Sequence, residues 1–406
     1  MNKTFRFTLP ISLAIMTLSI IFNMLEAPNH VLASGNSIFK SRIDRKPDKY
    51  PPQIQSTILV NTLEDELNGD GDCSLREAIA AANSNSGVDA CLSGDTVITD
   101  TITFNVSGTI ILINPLGQLL VIAGGPLEID GGNVVKVSGD GATRVLFVET
   151  GVILTLQRMD VIDGYAVDGA GLYNNGGNVT IDDCTLSGNI VAGGAGGGIY
   201  NNAGRLVLAN STLSGNISSD FAGGGIFNGY AALIVTDSSL SDNSADTGGA
   251  IRNAGGIISI IRSTLAGNNA RVGGAIENFG EIVVDNSTLT HNQSTQTGAA
   301  IYNWFFFKVS NSTISDNSAG FGGAISNSYI TMTITNTIVA NYDSESDCTG
   351  PILDGGHNIS SDDTCSFDPA NGSMPSTDPL LGPLQDNDGP TLTGIIGWKP
   401  SYRCWR

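Results

Sequence analysis

Apolar residues between positions 179 and 341 fall in pairs one position apart, and the pairs recur every 24–27 residues. Val179 and Ile181, Leu206 and Leu208, Leu233 and Val235, Ile258 and Ile260, Ile282 and Val284, and Phe307 and Val309 are such pairs. Alternation with a period of two predicts short strands with one buried face. A fixed string follows each pair. It has a small or polar residue (Cys184, Ser211, Ser238, Ser263, Ser287, Ser312, Asn336), an apolar one (Leu186, Leu213, Leu240, Leu265, Leu289, Ile314, Ile338) and then an Asn (Asn189, Asn216, Asn243, Asn268, Asn292, Asn317, Asn341). A second string, Gly-Gly-(Gly/Ala)-Ile-x-Asn, alternates with the first. Its Asn residues are Asn201, Asn228, Asn253, Asn278, Asn303 and Asn327, and an earlier copy ends at Asn174.

Each unit of about 25 residues thus holds about three short strands separated by Gly and Asn turns. That is too short for a βαβ unit and carries no helical periodicity. A solenoid satisfies the pattern: each unit makes one turn, and its strands pair in parallel with those of the next turn ~4.8 Å away. The fold class expected is all-β, a right-handed parallel β-helix with a short N-terminal capping helix. Leu and Ile columns fill the interior. Asn columns form amide ladders at the turns, where Asn tolerates left-handed backbone. The last unit is one residue shorter between Ile334 and Asn336, which predicts an altered turn there.

The rest of the chain divides around this array. Residues 1–33 read as a signal peptide, with Lys3 and Arg6 before an apolar run from Leu9 to Leu25 and a small-residue cleavage site at Val31-Leu32-Ala33. Residues 34–56 read as a linker and 57–94 as an N-terminal cap. In that cap Ser74 and Glu77 form a capping box at the start of a helix reaching about Asn83. Residues 95–342 form the solenoid, less regular up to 165, and 343–406 a C-terminal cap or anchor-like region. No second stretch is apolar enough to span a membrane, so the mature chain is expected to have no transmembrane span.

Composition sharpens the picture. Charged residues make up 14% of the chain against 41% hydrophobic, so a buried interior is expected beneath a surface rich in hydroxyls and amides. The net charge of −20 excludes nucleic acid as a partner. Six Cys in an exported chain are expected to form two local disulfides, Cys73–Cys91 and Cys348–Cys365. Cys184 stands in a Ser column and is expected to stay a thiol, and Cys404 has no evident partner.

Cys73-Ser74-Leu75-Arg76-Glu77-Ala78, extended through Ala81-Ala82-Asn83 to Cys91, resembles the signature of the CSLREA domain. That domain precedes β-helices with pectin-lyase-like or polymorphic-outer-membrane-protein repeats, which the Gly-Gly-Ala-Ile-x-Asn and Asn-Ser-Thr-Leu strings resemble. The tail is similar to the choice-of-anchor Q module through Asn336 to Asn341, Asp347-Cys348, Asn358-Ile359, Cys365, Asp378-Pro379 and Leu384 to Thr393. The resemblance implies a bacterial secreted or cell-envelope protein and no defined reaction. After Gly389-Pro390-Thr391 the chain departs from the usual Pro-, Ser- and Ala-rich ending, so a truncated or frameshifted end is expected.

Three groups of residues suggest chemistry. Glu66, Asn68, Asp70, Asp72 and Glu77 have the spacing of an EF-hand loop, which makes Ca²⁺ a candidate ligand; the competing reading is a plain turn leading into the capping box. Asp160, Asp163, Asp182 and Asp183 are the candidate carboxylates for polysaccharide cleavage. Asp183, however, falls in a variable polar column with Asn210, Asp237, Arg262, Asn286, Asn311 and Thr335. Tyr302, Trp304, Phe305 and Phe306 break a position that is small in other units and could bind a glycan or a protein, or pack as a local bulge. The reading favoured is a non-catalytic structural, adhesive or recognition surface whose partner is an extracellular glycan or a surface protein. The alternative is a polysaccharide lyase or glycoside hydrolase on the same scaffold. The recognition reading requires no cofactor, the lyase reading would usually call on Ca²⁺ held by acidic residues, and the sequence does not define the oligomeric state.

Overall fold

The computed structural model describes residues 56–122, 124–341, 346–385 and 393–396. The signal peptide, all but the last residue of the linker, and Cys404 lie outside these residues. The described chain is a right-handed parallel β-helix.

One turn shows the construction. Ser239–Ser241, Ser244–Thr247, Ile251–Asn253 and Ile257–Ile261 are four short strands, not three, joined by tight turns. The third and fourth strands lie end to end in one large sheet, and in two coils they run on as single strands, Leu172–Asp182 and Ile199–Ala209. The first and second strands belong to an 11-stranded and a 7-stranded sheet. Strand pairing between coils is parallel, with register shifts only at Asn174–Asn178, Ser218–Ala222 and Ala270–Val272 among the described residues, so Leu213 faces Leu240 and Ile226 faces Ile251. The interior is a stack of fully buried aliphatic columns: Leu186, Leu213, Leu240, Leu265, Leu289 and Ile314 are 0% exposed. Burying each such side chain contributes roughly 1.5–3 kcal/mol.

Two Asn columns run inside the turns, fully buried. Asn189, Asn216, Asn243, Asn268, Asn292 and Asn317 each donate Nδ2–H to the Oδ1 of the Asn one coil on, at 2.9–3.0 Å. The second column runs from Asn174 to Asn327 in the same way. A third column joins Ser hydroxyls to backbone N–H groups, from Cys184 through Ser211, Ser238, Ser263 and Ser287 to Ser312. Buried turn backbone is thereby satisfied without water. Gly225 shows why the turns need glycine: a Cβ there would lie 2.6 Å from the Ala250 carbonyl oxygen.

The ladder Asn residues are not themselves left-handed. Positive φ falls on the residue before the first ladder, as at Asp242 (56°), His291 (55°) and Asp316 (54°). It also falls on the polar column of Asp183, Asn210, Asp237, Arg262, Asn286 and Asn311. The member of that column in the last coil is Asn336 (φ 47°), not Thr335, because Ser310 pairs with Thr335. Ser312 accordingly donates its N–H to Thr337, and Ile314 faces Val339. The missing residue therefore falls between Ala340 and Asn341, where a left-handed position is skipped.

The expected boundaries shift at both ends. Ser56–Val60 pairs in parallel with Asp100–Phe104, so the solenoid begins before the cap, which is an insertion between its first two coils. The helix Leu75–Ser84 carries the capping box and ends on left-handed Asn85. Its buried face, Leu75, Ala78, Ile79 and Ala82, joins the core at the N-terminal end of the solenoid. Asn83 and Arg76 bind the backbone at Leu120 and Gly117. At the other end the ladders continue past 342: Ser346–Thr349, Ile352–Asp354 and Ile359–Ser360 add a further coil. Cys73–Cys91 and Cys348–Cys365 are disulfides, one in the cap and one in this last coil, and Cys184 is a buried free thiol. Burial pushes the Cys184 thiol up to about 12. No described helix is long and apolar enough to cross a membrane.

Candidate functional site

Because inward positions are filled by the columns, any site must be built from outward positions and turns. The four candidate carboxylates occupy such positions without converging on one another. Asp160 lies on the outer face of a strand and pairs with Lys136 of the preceding coil at 2.9 Å. Asp163 holds a left-handed turn beside Gly188. Asp182 accepts from Asn210 at 2.7 Å, and Asp183 from Asn133 at 3.5 Å. Asp160, Asp182 and Asp183 are thus each bonded to a side chain of another coil.

The acidic loop is more compact. Carboxylate oxygens of Glu66, Asp70 and Asp72 lie within 4.8 Å of one another, and those of Asp72, Glu77 and Asp89 form a second such group. Desolvation, with repulsion from the neighbouring carboxylates added to it, raises Glu66 and Asp72 above the ordinary carboxylate range. Glu77 already accepts two backbone N–H bonds, from Asn68 at 2.9 Å and Ser74 at 3.0 Å, and Asn68 Nδ2 donates to Glu66. Glu77 thus holds the loop backbone, the Asn68 side chain holds Glu66, and Asp89, absent from the sequence-derived set, stands with Asp72 and Glu77.

The aromatic residues form something larger than the sequence suggested. Trp304 stacks between Phe279 of the preceding coil, at 5.7 Å, and Tyr329 of the next, at 5.9 Å. These rings occupy the turn between the third and fourth strands, and Tyr302 meets Trp304 edge-on at 6.2 Å. Tyr329 is 77% exposed. Phe305 and Phe306 close the turn around Asn303, which donates Nδ2–H to the Phe305 carbonyl at 2.7 Å. A spacing of one coil length from Trp304 would have found Phe279 and Tyr329.

The variable position of the Ile-x-Asn string makes a second outward column beside this ridge. Phe147, Tyr173, Tyr200 and Phe227 stack face to face at 4.8–5.1 Å. Arg144 covers Phe147 and Tyr173. The column then changes to Arg252, Glu277 and Tyr302. Arg252 forms an ion pair with Glu277, donates to Thr247 at 2.8 Å and lies 4.5 Å over the Phe279 ring. Glu277 is 4% exposed although it points outward, and this burial raises its carboxyl above the usual range. Flanking it, Arg271 grips Asp246 with two bonds and Gln296 with a third. Sequence reading missed this cluster because its members come from three coils, although two interrupt an aromatic column.

Residues 165–343 match the family model described as right handed beta helix region. That stretch contains the aromatic ridge, the Arg252–Glu277 pair and the Arg271–Asp246 fork. No curated protein and no solved structure matches the chain.

Proposed function

We propose that this chain is an exported bacterial surface protein whose β-helix serves as a non-catalytic platform recognising an extracellular polysaccharide. The observation that carries the proposal is the ridge of Phe279, Trp304 and Tyr329, one ring per coil, beside planar ionic side chains on the same face. Aromatic surface covers the apolar C–H patches of a sugar, and polar side chains nearby satisfy its hydroxyls. Ridge and column both follow the solenoid axis, which suits an extended chain better than a small molecule. The CSLREA-like and anchor-like segments support export and attachment to the cell envelope. The reading needs no cofactor. A Ca²⁺ ion held by Glu66, Asp70 and Asp72 is a separate proposal that concerns the cap alone.

Retention of the full chain on neutral and acidic polysaccharides tests this, with reducing ends and unsaturated products measured alongside. Retention that Trp304→Ala abolishes supports the platform. Cleavage surviving purification would replace it with the lyase or hydrolase reading. Retention unchanged in Trp304→Ala would move the site elsewhere.

A further inference from the structure

Arg271, Asp246 and Gln296 contribute one residue each from three successive coils, and they are joined in one plane of contacts. Nε and Nη2 of Arg271 donate to the two oxygens of Asp246 at 2.8 and 2.9 Å, and Nη1 donates to Oε1 of Gln296 at 2.9 Å. The side chains stay 45% and 38% exposed for Arg271 and Asp246. Three of the five guanidinium N–H groups are engaged, so two remain to donate, and each Asp246 oxygen keeps an acceptor lone pair. Gln296 accepts with Oε1, and its amide N–H groups remain donors. The fork thus offers donors and acceptors side by side, with the geometry already fixed.

The fork is continuous with the aromatic ridge. Thr247, next in sequence to Asp246, accepts from Arg252, and Arg252 reaches across to lie over Phe279. Both guanidinium groups of this band are paired with a carboxylate, Arg271 with Asp246 and Arg252 with Glu277. The band therefore has no net charge, on a chain whose formal charge is −20. A polyanion would gain no attraction at the band and would meet repulsion from the rest of the molecule. A vicinal diol, by contrast, both donates and accepts at each hydroxyl, which is what the fork presents.

We infer that Asp246, Arg271 and Gln296 form a hydroxyl-reading subsite that, with the ridge, selects an uncharged polysaccharide over one carrying uronic acids. The inference rests on the platform reading above. It concerns which glycan is taken and which residues choose it.

The test measures binding of the full chain to soluble neutral glucans and xylans and to polygalacturonate, by affinity electrophoresis and calorimetry. Arg271→Ala, Asp246→Ala and Trp304→Ala are compared with the parent, and melting of each variant reports on folding. The result expected is binding of a neutral polymer, at least about tenfold weaker binding of polygalacturonate, and a loss of about tenfold in Arg271→Ala and Asp246→Ala at unchanged melting temperature. Equal or tighter binding of polygalacturonate overturns the inference and leaves the platform standing. So does neutral binding that Trp304→Ala abolishes while Arg271→Ala and Asp246→Ala retain it. Binding of neither class overturns both.

Discussion

Asn341 donates its backbone N–H and its side-chain Nδ2–H to the same oxygen of Asp347, at 2.8 and 3.1 Å. The first Asn ladder thus ends on a carboxylate, which accepts from the last amide and passes nothing on. The other Asp347 oxygen takes N–H and O–H from Ser361 and N–H from Asp362.

Asp347→Asn should therefore destabilise the last coil despite its matching shape. An amide placed in that pocket turns two donors toward the N–H groups of Asn341 or toward those of Ser361 and Asp362, where only the Ser361 hydroxyl can turn to accept. A loss of about 2–3 kcal/mol is expected in urea unfolding, with earlier proteolysis after residue 340. A variant as stable as the parent would show that the carboxylate does not end the ladder.

Asn243→Ala removes a fully buried link in mid-ladder, leaving the Asn216 backbone N–H without an acceptor and the Leu213 carbonyl and Asn268 Oδ1 each short of the amide that donates to them. Its cost should reach about 3 kcal/mol or more. Asp242→Gly, one residue away on the left-handed position that is Gly in neighbouring coils, should change stability by less than about 0.5 kcal/mol. Denaturant midpoints of the two variants distinguish buried link from exposed turn.

Glu277 and Asp237 should respond to pH in opposite directions. Burial raises Glu277 in the folded chain, so its contribution to stability is fully present below its unfolded value of 4.5 and is lost as pH rises above it. Asp237 is lowered, chiefly by Arg262, so its contribution is present above 3.8 and is lost as pH falls. Melting curves from pH 3 to 7 should show Glu277→Gln gaining on the parent as pH rises and Asp237→Asn falling behind it.

The acidic loop yields a thermal test. If Ca²⁺ relieves the crowding of Glu66, Asp70 and Asp72, millimolar Ca²⁺ should raise the melting temperature, chelator should reverse it, and Asp70→Asn should lose most of the gain. A melting temperature indifferent to Ca²⁺ and chelator removes the metal proposal and leaves a turn held by Glu77 and its capping box.

What the sequence made legible follows from what the columns demand. Interior Leu and ladder Asn tolerate little variation, since each must meet its own kind one coil away, so their spacing survives and declares the fold. The strand Ser56–Val60 reads as the end of the linker and the start of the cap because the inserted helix separates it from its partner Asp100–Phe104 and hides the period. The coil of Asn336 is hard to place for a related reason: one residue is lost at the turn before Asn341, and a count made backwards from Asn341 shifts Asn336 by one column. The site was less legible still. Outward positions obey no packing rule, so Arg252, Glu277 and Arg271 look like ordinary variation until the coils are stacked. Trp304 stood out by its size; its companions Phe279 and Tyr329 needed the same spacing applied to the turns.

The three ladders also constrain how such a chain can change in length. A residue inserted into a strand that carries a ladder would put that coil out of register with both of its neighbours, whereas a whole repeat leaves each Asn and Ser facing its own kind. Coils of 27 residues nonetheless pass into coils of 25 and 24 without breaking the first ladder, because slack is taken up in loops between ladder positions. The molecule is therefore extensible in whole turns, like a ruler with fixed graduations, and the reach of its lateral face can vary without redesign of any single turn.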